Sequence, residues 1–187
     1  MKSIFVLLVI LFLLPLGIYC SHNTANDPSG KISIPFGKSY TYDDIFVKRA
    51  VDGDTLVLES GERVRLIGID TPEMHESGKL YRDSRRTGMD IRTIQALGKR
   101  SYEFTRKLLE NQRVRLEFDV EKRDKYKRLL GYVFLKDGTF ANAEIVKQGY
   151  ASLMTYPPNV KYVDLFKKLY KEARDNKSGL WNDQGGL

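Results

Sequence analysis

The stretch RVRLIGIDTPE, residues 63–73, reads as a β-strand that ends in a cluster of charged side chains. Apolar residues alternate with arginines at its start, as in a strand with one face toward a core. Asp70 and Glu73 stand at its end, on either side of Pro72, and proline is excluded from the middle of a sheet. The stretch therefore predicts a strand that carries two carboxylates to one edge of a sheet.

Other strands are predicted on both sides of this stretch. Residues 44–50 and 55–58 precede it, and residues 113–120 and 130–135 follow it, all rich in apolar and β-branched side chains. Asp52-Gly53-Asp54 separates the first two as a turn. With residues 63–69 as the third strand, the chain has five strands, the first three in a meander.

Helices are predicted from apolar spacing over residues 89–110, 142–148 and 163–176. Asn142 is the expected N-cap of the second helix. Residues 74–88 are polar and lack periodicity, so we expect a loop there. Five strands interrupted by a helix, with further helices behind, predict an α+β, β-rich fold: a five-stranded OB-fold barrel with about three helices.

Composition divides the chain into three parts. Its 187 residues, 42% of them hydrophobic, suit one globular domain with a short appendage. Residues 1–19 combine Lys2 with an apolar run and predict a lipoprotein-type signal peptide, with an uncleaved membrane anchor as the alternative. Residues 20–39 are expected to form a flexible tether, and residues 40–187 the folded domain.

Cys20 is the only cysteine, so an internal disulfide and a cysteine-rich zinc site are excluded. Its position at the end of the apolar run resembles the lipidated cysteine of bacterial lipoproteins, although Gly17 and Tyr19 depart from that pattern. The alternative is ordinary cleavage nearby. Either way we expect export, as a bacterial cell-envelope lipoprotein bound to a membrane through Cys20 or as a secreted protein.

Charge and histidine content narrow the chemistry. The net charge is +7, and it falls to +6 without residues 1–19, in which Lys2 is the only charged side chain. A positive charge of this size favours a polyanionic partner. The only histidines are His22, in the tether, and His75. Phosphodiester cleavage by a histidine pair and zinc-dependent hydrolysis are therefore disfavoured. The mechanism that remains is one in which oxygen ligands hold a metal ion and arginines bind the phosphate.

Asp54 and Asp70 reach the same barrel edge if their strands pair as a meander. Two carboxylates, the Thr71 carbonyl and water are ligands suited to Ca²⁺. Arg65 would lie on the opposite face of a flat strand from Asp70, unless a bulge at Gly68 turns the chain. Taken separately, these motifs are also typical of ordinary turns and helix starts.

Arg128 comes from the segment DKYKR, residues 124–128, which connects the fourth and fifth predicted strands. With Arg65 it could bind a phosphodiester, since guanidinium groups match phosphate oxygens in pairs.

Three motifs in this order resemble the staphylococcal nuclease family. They are VDGDT at residues 51–55, RLIGIDTPE at residues 65–73 and DKYKR at residues 124–128. Further likeness occurs in EFTRKLLEN, residues 103–111, and AEIVKQGYA, residues 143–151. The resemblance extends over about residues 44–182.

The resemblance implies roles for individual residues. Asp54, Asp70 and the Thr71 carbonyl would be the calcium ligands. Arg65 and Arg128 would bind the phosphate and stabilise the transition state, and Glu73 would orient or deprotonate the attacking water. Three further residues would contact substrate: Lys125, Tyr126 and Tyr156.

The sequence also departs from the family pattern. Lys127 stands where members commonly carry glycine, and Met154 where they carry a tyrosine. The segment after Glu73 is longer than in the type enzyme. Its cations are candidates for binding an extended nucleic-acid backbone or are simply solvated: Lys79, Arg82, Arg85 and Arg86.

The resemblance implies a monomeric, calcium-dependent nuclease that hydrolyses DNA and RNA at the 5′ P–O bond and leaves 3′-phosphates. Two alternatives without catalysis are a nucleic-acid-binding OB-fold module and a surface adhesin for DNA or glycosaminoglycans. A degenerate binding module should lack several of the five key side chains, whereas this chain has all of them: Asp54, Arg65, Asp70, Glu73 and Arg128.

Overall fold

The computed structural model describes residues 42–182. The predicted signal peptide over residues 1–19, the tether over 20–39 and Cys20 lie outside the described residues. Between residues 42 and 182, no helix has both the length and the apolar character needed to cross a membrane.

Seven strands and four helices make up the described fold. The strands are β1 (Ile45–Ala50), β2 (Thr55–Leu58), β3 (Arg63–Leu66), β4 (Gly68–Asp70), β5 (Arg113–Glu117), β6 (Leu129–Leu135) and β7 (Ser152–Met154). The helices are α1 (Gly78–Thr87), α2 (Ile91–Leu109), α3 (Ala141–Lys147) and α4 (Val163–Asp175), followed by a 3₁₀ helix (Gly179–Asn182).

Five of the strands close into a barrel in the order β1-β2-β3-β6-β5, which confirms the predicted five-stranded OB-fold. The pairing is antiparallel except between β3 and β6, which run parallel. Alternation along the strands directs Leu56, Val64, Leu116 and Val133 into a core in which each is fully buried. α3 packs against β6 and α4, and α2 packs against β1.

The predicted strand over residues 63–69 is two strands. The chain turns at Gly68, whose φ of 84° is left-handed and therefore suited to glycine. A Cβ at Gly68 would lie 2.3 Å from the Phe166 ring, so the close packing of α4 also requires glycine here. β4 begins at Gly68 itself, leaves the barrel and pairs with β7, a strand that sequence periodicity did not reveal.

The prediction that Asn142 caps a helix is wrong. α3 begins at Ala141 after Phe140, and Asn142 is the second residue inside the helix. Its buried amide accepts a hydrogen bond from the Val133 backbone N–H at 3.0 Å and donates one to the Ile67 carbonyl at 3.0 Å. The side chain thus satisfies backbone groups of two distant segments, because these groups are buried where water cannot reach them.

The loop expected over residues 74–88 contains a helix, so the described chain has four α-helices rather than about three. The Ser77 side chain caps α1 by accepting a hydrogen bond from the Leu80 N–H at 3.1 Å, and Gly88 ends the helix with φ 74°. Leu80 is its only buried residue, which explains why no apolar periodicity marked it.

Candidate active site

Arg65 lies at one edge of the barrel between two carboxylates. Pairing of β2 with β3 sets Thr55 opposite Arg65, so Asp54, one residue before Thr55, lies beside the guanidinium group. Arg65 forms an ion pair with Asp54, and its Nη2 lies 2.9 Å from Asp70 Oδ1. The break at Gly68 makes the second contact possible, because a continuous flat strand would direct Arg65 and Asp70 to opposite faces.

Asp54 is held in place by its own hydrogen bonds. Its Oδ2 accepts from the Thr71 N–H at 3.0 Å and from the Thr71 hydroxyl at 3.2 Å, and its Oδ1 accepts from the Thr55 hydroxyl at 3.1 Å. A Cβ at Gly53 would come within 2.8 Å of Thr71 and Ser101, so the turn before Asp54 needs glycine to pack this closely. The segments that carry Asp54 and Thr71 are therefore joined by hydrogen bonds.

Lys79, from the first turn of α1, points its ammonium group at the same oxygens. Its Nζ lies 2.8 Å from the Thr71 carbonyl oxygen, 3.1 Å from Asp70 Oδ1 and 3.2 Å from Glu73 Oε1. This contact was not foreseen, because residues 74–88 were expected to form a loop. It shows that three oxygens, from Asp70, Thr71 and Glu73, converge on one cation.

Glu73 is positioned by α1 and α2. Ser77, the cap of α1, donates a hydrogen bond from its hydroxyl to Glu73 Oε2 at 3.3 Å. Gly98 of α2 lies against the backbone of Glu73, where a Cβ would be 2.6 Å from the carbonyl carbon. The glycine that weakens the helical pattern of α2 thus permits close contact with the segment that carries Glu73.

Arg128 reaches the site from the connection between β5 and β6. Its Nε lies 2.7 Å from Asp124 Oδ2, and its backbone N–H donates to Asp124 Oδ1 at 3.0 Å. Lys127, between Tyr126 and Arg128, has φ 65°, a left-handed conformation. This conformation gives a physical reason for the glycine expected there from the family pattern, and lysine adopts it without moving Arg128 out of register.

Burial and neighbouring charges both act on Arg65. Burial lowers the pKa of its guanidinium group, Asp70 and Asp52 oppose this change, and the positive charge of Arg128 lowers the pKa further. Arg128 is therefore close enough to act electrostatically on Arg65. Two neighbouring guanidinium groups repel each other. An anion such as a phosphodiester can accept hydrogen bonds from both of them, so the pair is suited to bind it.

The substrate-contact candidates line the same cleft, which has a volume of about 790 Å³. Lys125 Nζ lies 5.1 Å from the ring centroid of Tyr126, and the Arg128 guanidinium carbon lies 5.6 Å from it. Tyr126 is 68% exposed and Tyr156 is 71% exposed, so both side chains are accessible to a molecule in the cleft. Met154 replaces the expected pocket tyrosine, and its sulfur accepts a hydrogen bond from Arg65 at 3.9 Å.

The predicted site residues between residues 42 and 182 all line one cleft except Thr71, which contacts Asp54 and Lys79 of that cleft. Cys20 is not among the described residues. The sequence pattern did not indicate the contacts of two residues: Asp124, which holds Arg128, and Lys79, which contacts Asp70, Thr71 and Glu73. The Ser77 cap and Gly88 stop were local signals that would have revealed α1, and with it the position of Lys79.

The donor set fits a hard cation. Within residues 42–182, no group of three or more His, Cys, Asp or Glu side chains is arranged to hold a metal ion. A metal here would therefore depend on two carboxylates, the Thr71 carbonyl oxygen and water, all oxygen donors of the kind that Ca²⁺ and Mg²⁺ prefer. The Lys79 ammonium, held by oxygens of this set, is a stand-in that supports the fit.

Comparison with known proteins identifies the family of this chain. The family model described as staphylococcal nuclease homologue matches residues 63–183. The chain is 42% identical over 153 residues to the thermonuclease of Staphylococcus intermedius, covering 79% of this chain and 83% of the relative. It is 34% identical over 140 residues to the thermonuclease of Staphylococcus hyicus, covering 73% of this chain and 75% of the relative.

A third relative, endonuclease YncB of Bacillus subtilis, is 31% identical over 169 residues, covering 87% of this chain and 74% of the relative. These relatives, and a cleft in which every key acidic and basic residue is present, favour the enzyme over the non-catalytic binding module and the adhesin. The chain belongs to the staphylococcal nuclease family and is a nuclease that hydrolyses phosphodiester bonds.

Proposed function

We propose that this nuclease hydrolyses both DNA and RNA in a calcium-dependent reaction that cleaves the 5′ P–O bond and leaves 3′-phosphate products. The observation that carries the proposal is that Asp54 and Asp70 line the same cleft as Arg65 and Arg128, while the Thr71 carbonyl oxygen and Asp70 both contact the Lys79 ammonium group there. Calcium, held by these oxygens, would supply positive charge that polarises the phosphate and favours ionisation of the attacking water.

Arg65 and Arg128 are the proposed phosphate-binding pair. Their guanidinium groups donate hydrogen bonds to the non-bridging oxygens of the scissile phosphate. Negative charge on these oxygens grows in the transition state, so donors already held in place stabilise it more than the ground state. Asp70 fixes Arg65, and Asp124 fixes Arg128, which reduces the reorganisation needed when substrate binds.

Glu73 is the proposed partner of the attacking water. A carboxylate at this position accepts a hydrogen bond from the water and either orients it or removes its proton. Its attachment to Ser77 and the close backbone contact with Gly98 hold it at the edge of the cleft. Lys125 and Tyr126 would contact a neighbouring phosphate, and Tyr156 would stack on a base.

Lys79 has to give up its contacts when a metal binds. Its ammonium group shares oxygens of Asp70 and Thr71 with the proposed calcium ligands, and two cations on the same oxygens repel each other strongly. The lysine side chain has a flexible four-carbon stem, so its ammonium group can move to another position in the cleft by a change of rotamer while α1 stays in place.

The direct test is a digestion experiment. Plasmid DNA, denatured DNA and RNA are incubated with the purified protein in Ca²⁺, in Mg²⁺ and in excess chelator, and the product ends are identified by their sensitivity to a 3′-phosphatase. We expect cleavage of all three with Ca²⁺, no cleavage in chelator, and 3′-phosphate ends. Undiminished cleavage in chelator would contradict the proposed role of the metal. Products with 5′-phosphate ends would show that the other P–O bond is cleaved.

We also propose that the nuclease acts outside the cytoplasm as a monomer, tethered to a membrane through a lipid on Cys20. The order of Lys2, the apolar run and Cys20 supports this location, and the monomer is supported because one chain supplies the whole site. Cys20→Ser should release the protein from the membrane fraction into the medium. Continued membrane association of the variant would instead favour an uncleaved anchor.

A further inference from the structure

α1 forms one wall of the cleft. Leu80 is completely buried, and α1 packs against α2, which attaches the helix to the domain. Lys79, Arg82 and Arg86 of α1 line the cleft together with the catalytic arginines. These positions are spaced i, i+3 and i+7, so they follow one face of the helix.

The three cations on this face differ in how they are paired. Lys79 is engaged with the acidic set, and Arg86 forms an exposed ion pair with Asp83 at 3.2 Å. Arg82 is exposed and makes no ion pair or hydrogen bond with any of residues 42–182. A guanidinium group in this state can bind an anion without first breaking a contact.

The cleft is also lined by a cation outside α1. Lys125 and Tyr126 of the connection between β5 and β6 line it, and both are exposed. The face of α1 from Lys79 to Arg86 extends over about 10 Å along the helix axis, since a helix rises by about 1.5 Å per residue. This wall is longer than one phosphodiester, so it can contact linkages other than the one being cleaved.

We propose that α1 is a binding surface for the backbone of a polynucleotide, in which Arg82, supported by Arg86, contacts phosphates beyond the scissile linkage. The inference rests on the proposed function, because it requires a strand whose cleaved phosphate lies between Arg65 and Arg128. The rest of such a strand would extend along the cleft, which both Lys125 and the α1 cations line. Since the contacts are to phosphates, they favour long substrates without reading base sequence.

Arg85 provides a matched control. It also lies on α1, is exposed and makes no ion pair or hydrogen bond with the part of the chain that the structure describes, but it does not line the cleft. Arg82→Ala and Arg85→Ala therefore remove the same charge from the same helix. The two variants differ in whether the removed charge lined the cleft, as that of Arg82 does and that of Arg85 does not.

The experiment compares kcat/KM for a single-stranded 20-nucleotide DNA and for a dinucleotide over a range of salt concentrations. Arg82→Ala should lower the ratio of the two values by about 3- to 10-fold at low salt, and should reduce the slope of log(kcat/KM) for the long substrate against log[salt] by about 0.7, as expected for one lost phosphate contact. Arg85→Ala should leave both quantities at the wild-type value. Equal ratios and slopes for the two variants would overturn the inference.

A binding measurement separates this inference from the proposed function. Fluorescence anisotropy of a labelled 20-nucleotide strand is measured with Glu73→Gln as the background, in Ca²⁺ and in chelator. Weaker binding after Arg82→Ala, but not after Arg85→Ala, supports the α1 surface even if cleavage were metal-independent. Equal binding by both variants would overturn it, even if wild-type cleavage behaves as proposed. Thermal unfolding of each variant serves to show that the fold is intact.

Discussion

At the scale of the residue, Arg65, one of the two proposed phosphate-binding arginines, is held in place by the groups that surround it. Its side chain is only 14% exposed and lies between Asp54 and Asp70, which hold the planar group in one orientation. Burial lowers the pKa of this guanidinium group, and the charges of Asp70 and Asp52 oppose that change. Arg128, held by Asp124, is the second half of the proposed phosphate receptor.

Arg128→Ala should reduce kcat by roughly 100- to 1000-fold, the usual effect of removing one donor that stabilises transition-state charge. Arg128→Lys should recover little, because an ammonium group cannot reproduce the paired hydrogen bonds of a guanidinium group. Urea unfolding of both variants provides the control for folding, and it should stay near the wild-type curve. Wild-type turnover of the alanine variant would remove Arg128 from the mechanism.

Lys79→Met should tighten calcium binding by about 10-fold, which corresponds to about 1.4 kcal/mol. The reason is that the variant loses the cation that now occupies oxygens of Asp70, Thr71 and Glu73. Isothermal titration of Ca²⁺ into metal-free protein measures the affinity without reference to activity. Lys99→Met, which removes an exposed charge from α2, is the control and should bind calcium as the wild type does. Unchanged or weaker binding by Lys79→Met would contradict the competition.

At the scale of the element, the active site depends on how closely α2 approaches the strand-end segment. Gly98 lies against the backbone of Glu73, and a Cβ there would be 2.7 Å from both the Glu73 carbonyl oxygen and the Met74 nitrogen. Glycine in a helix interior costs about 1 kcal/mol relative to alanine. The close packing of α2 onto the Glu73 segment is therefore the physical reason for glycine at this position.

Gly98→Ala should lower kcat by roughly 10- to 100-fold, because the new methyl group forces the Glu73 segment or α2 to shift and small displacements of reacting groups are costly. Overpacking should also destabilise the fold by about 1–3 kcal/mol, more than the gain in helix propensity. Gly78→Ala is the control, since its Cβ would make an ordinary contact at 3.7 Å with the Arg82 side chain. If Gly98→Ala proved as active as Gly78→Ala, the packing of α2 would have no role in placing Glu73.

At the scale of the whole molecule, a buried polar network joins the barrel to the segment that begins α4. Glu117 of β5 accepts hydrogen bonds from Lys161 Nζ at 2.6 Å, from the Tyr162 hydroxyl at 2.8 Å and from Arg115 Nη1 at 3.4 Å. Burial raises the pKa of Glu117, but the hydrogen bonds and charge of Lys161 and the Tyr162 hydroxyl outweigh it, so that the pKa is lowered overall. Burial together with the hydrogen bond to Glu117 raises the pKa of Tyr162 to about 12.

Glu117→Gln should reduce the free energy of unfolding at neutral pH by about 1–3 kcal/mol, the usual contribution of hydrogen bonds to a buried charge. Since the folded-state pKa of Glu117 is lower than its ordinary value of 4.5, the wild-type advantage should be complete above pH 4.5 and should diminish as the pH falls through the folded-state value. Urea unfolding at several pH values measures this difference. The exposed Glu172→Gln should change stability by less than about 0.5 kcal/mol. A difference between Glu117→Gln and wild type that persists undiminished at the lowest pH would contradict the assignment.

The sequence by itself determined the short-range features of this protein. The five barrel strands, the helices α2 and α4, and the turn at Asp52-Gly53 were predictable, because alternation, helical periodicity and turn residues act between near neighbours in the chain. The motif residues were identified through the resemblance of three short segments, in their order, to the staphylococcal nuclease family: Asp54, Arg65, Asp70, Glu73 and Arg128. The small number of histidines likewise predicted a site in which oxygen atoms bind a metal ion, rather than one in which histidines act as acid and base.

The tertiary structure alone decided which of these segments meet. The parallel pairing of β3 with β6, the pairing of β4 with β7 and the use of Asn142 to satisfy distant backbone groups join residues far apart in sequence. α1 escaped sequence analysis because it buries only Leu80, and with it the position of Lys79 on the acidic oxygens remained unknown. The physical reason is that local propensity acts within a few residues, whereas burial and hydrogen bonding across the barrel are settled only when the whole chain has folded.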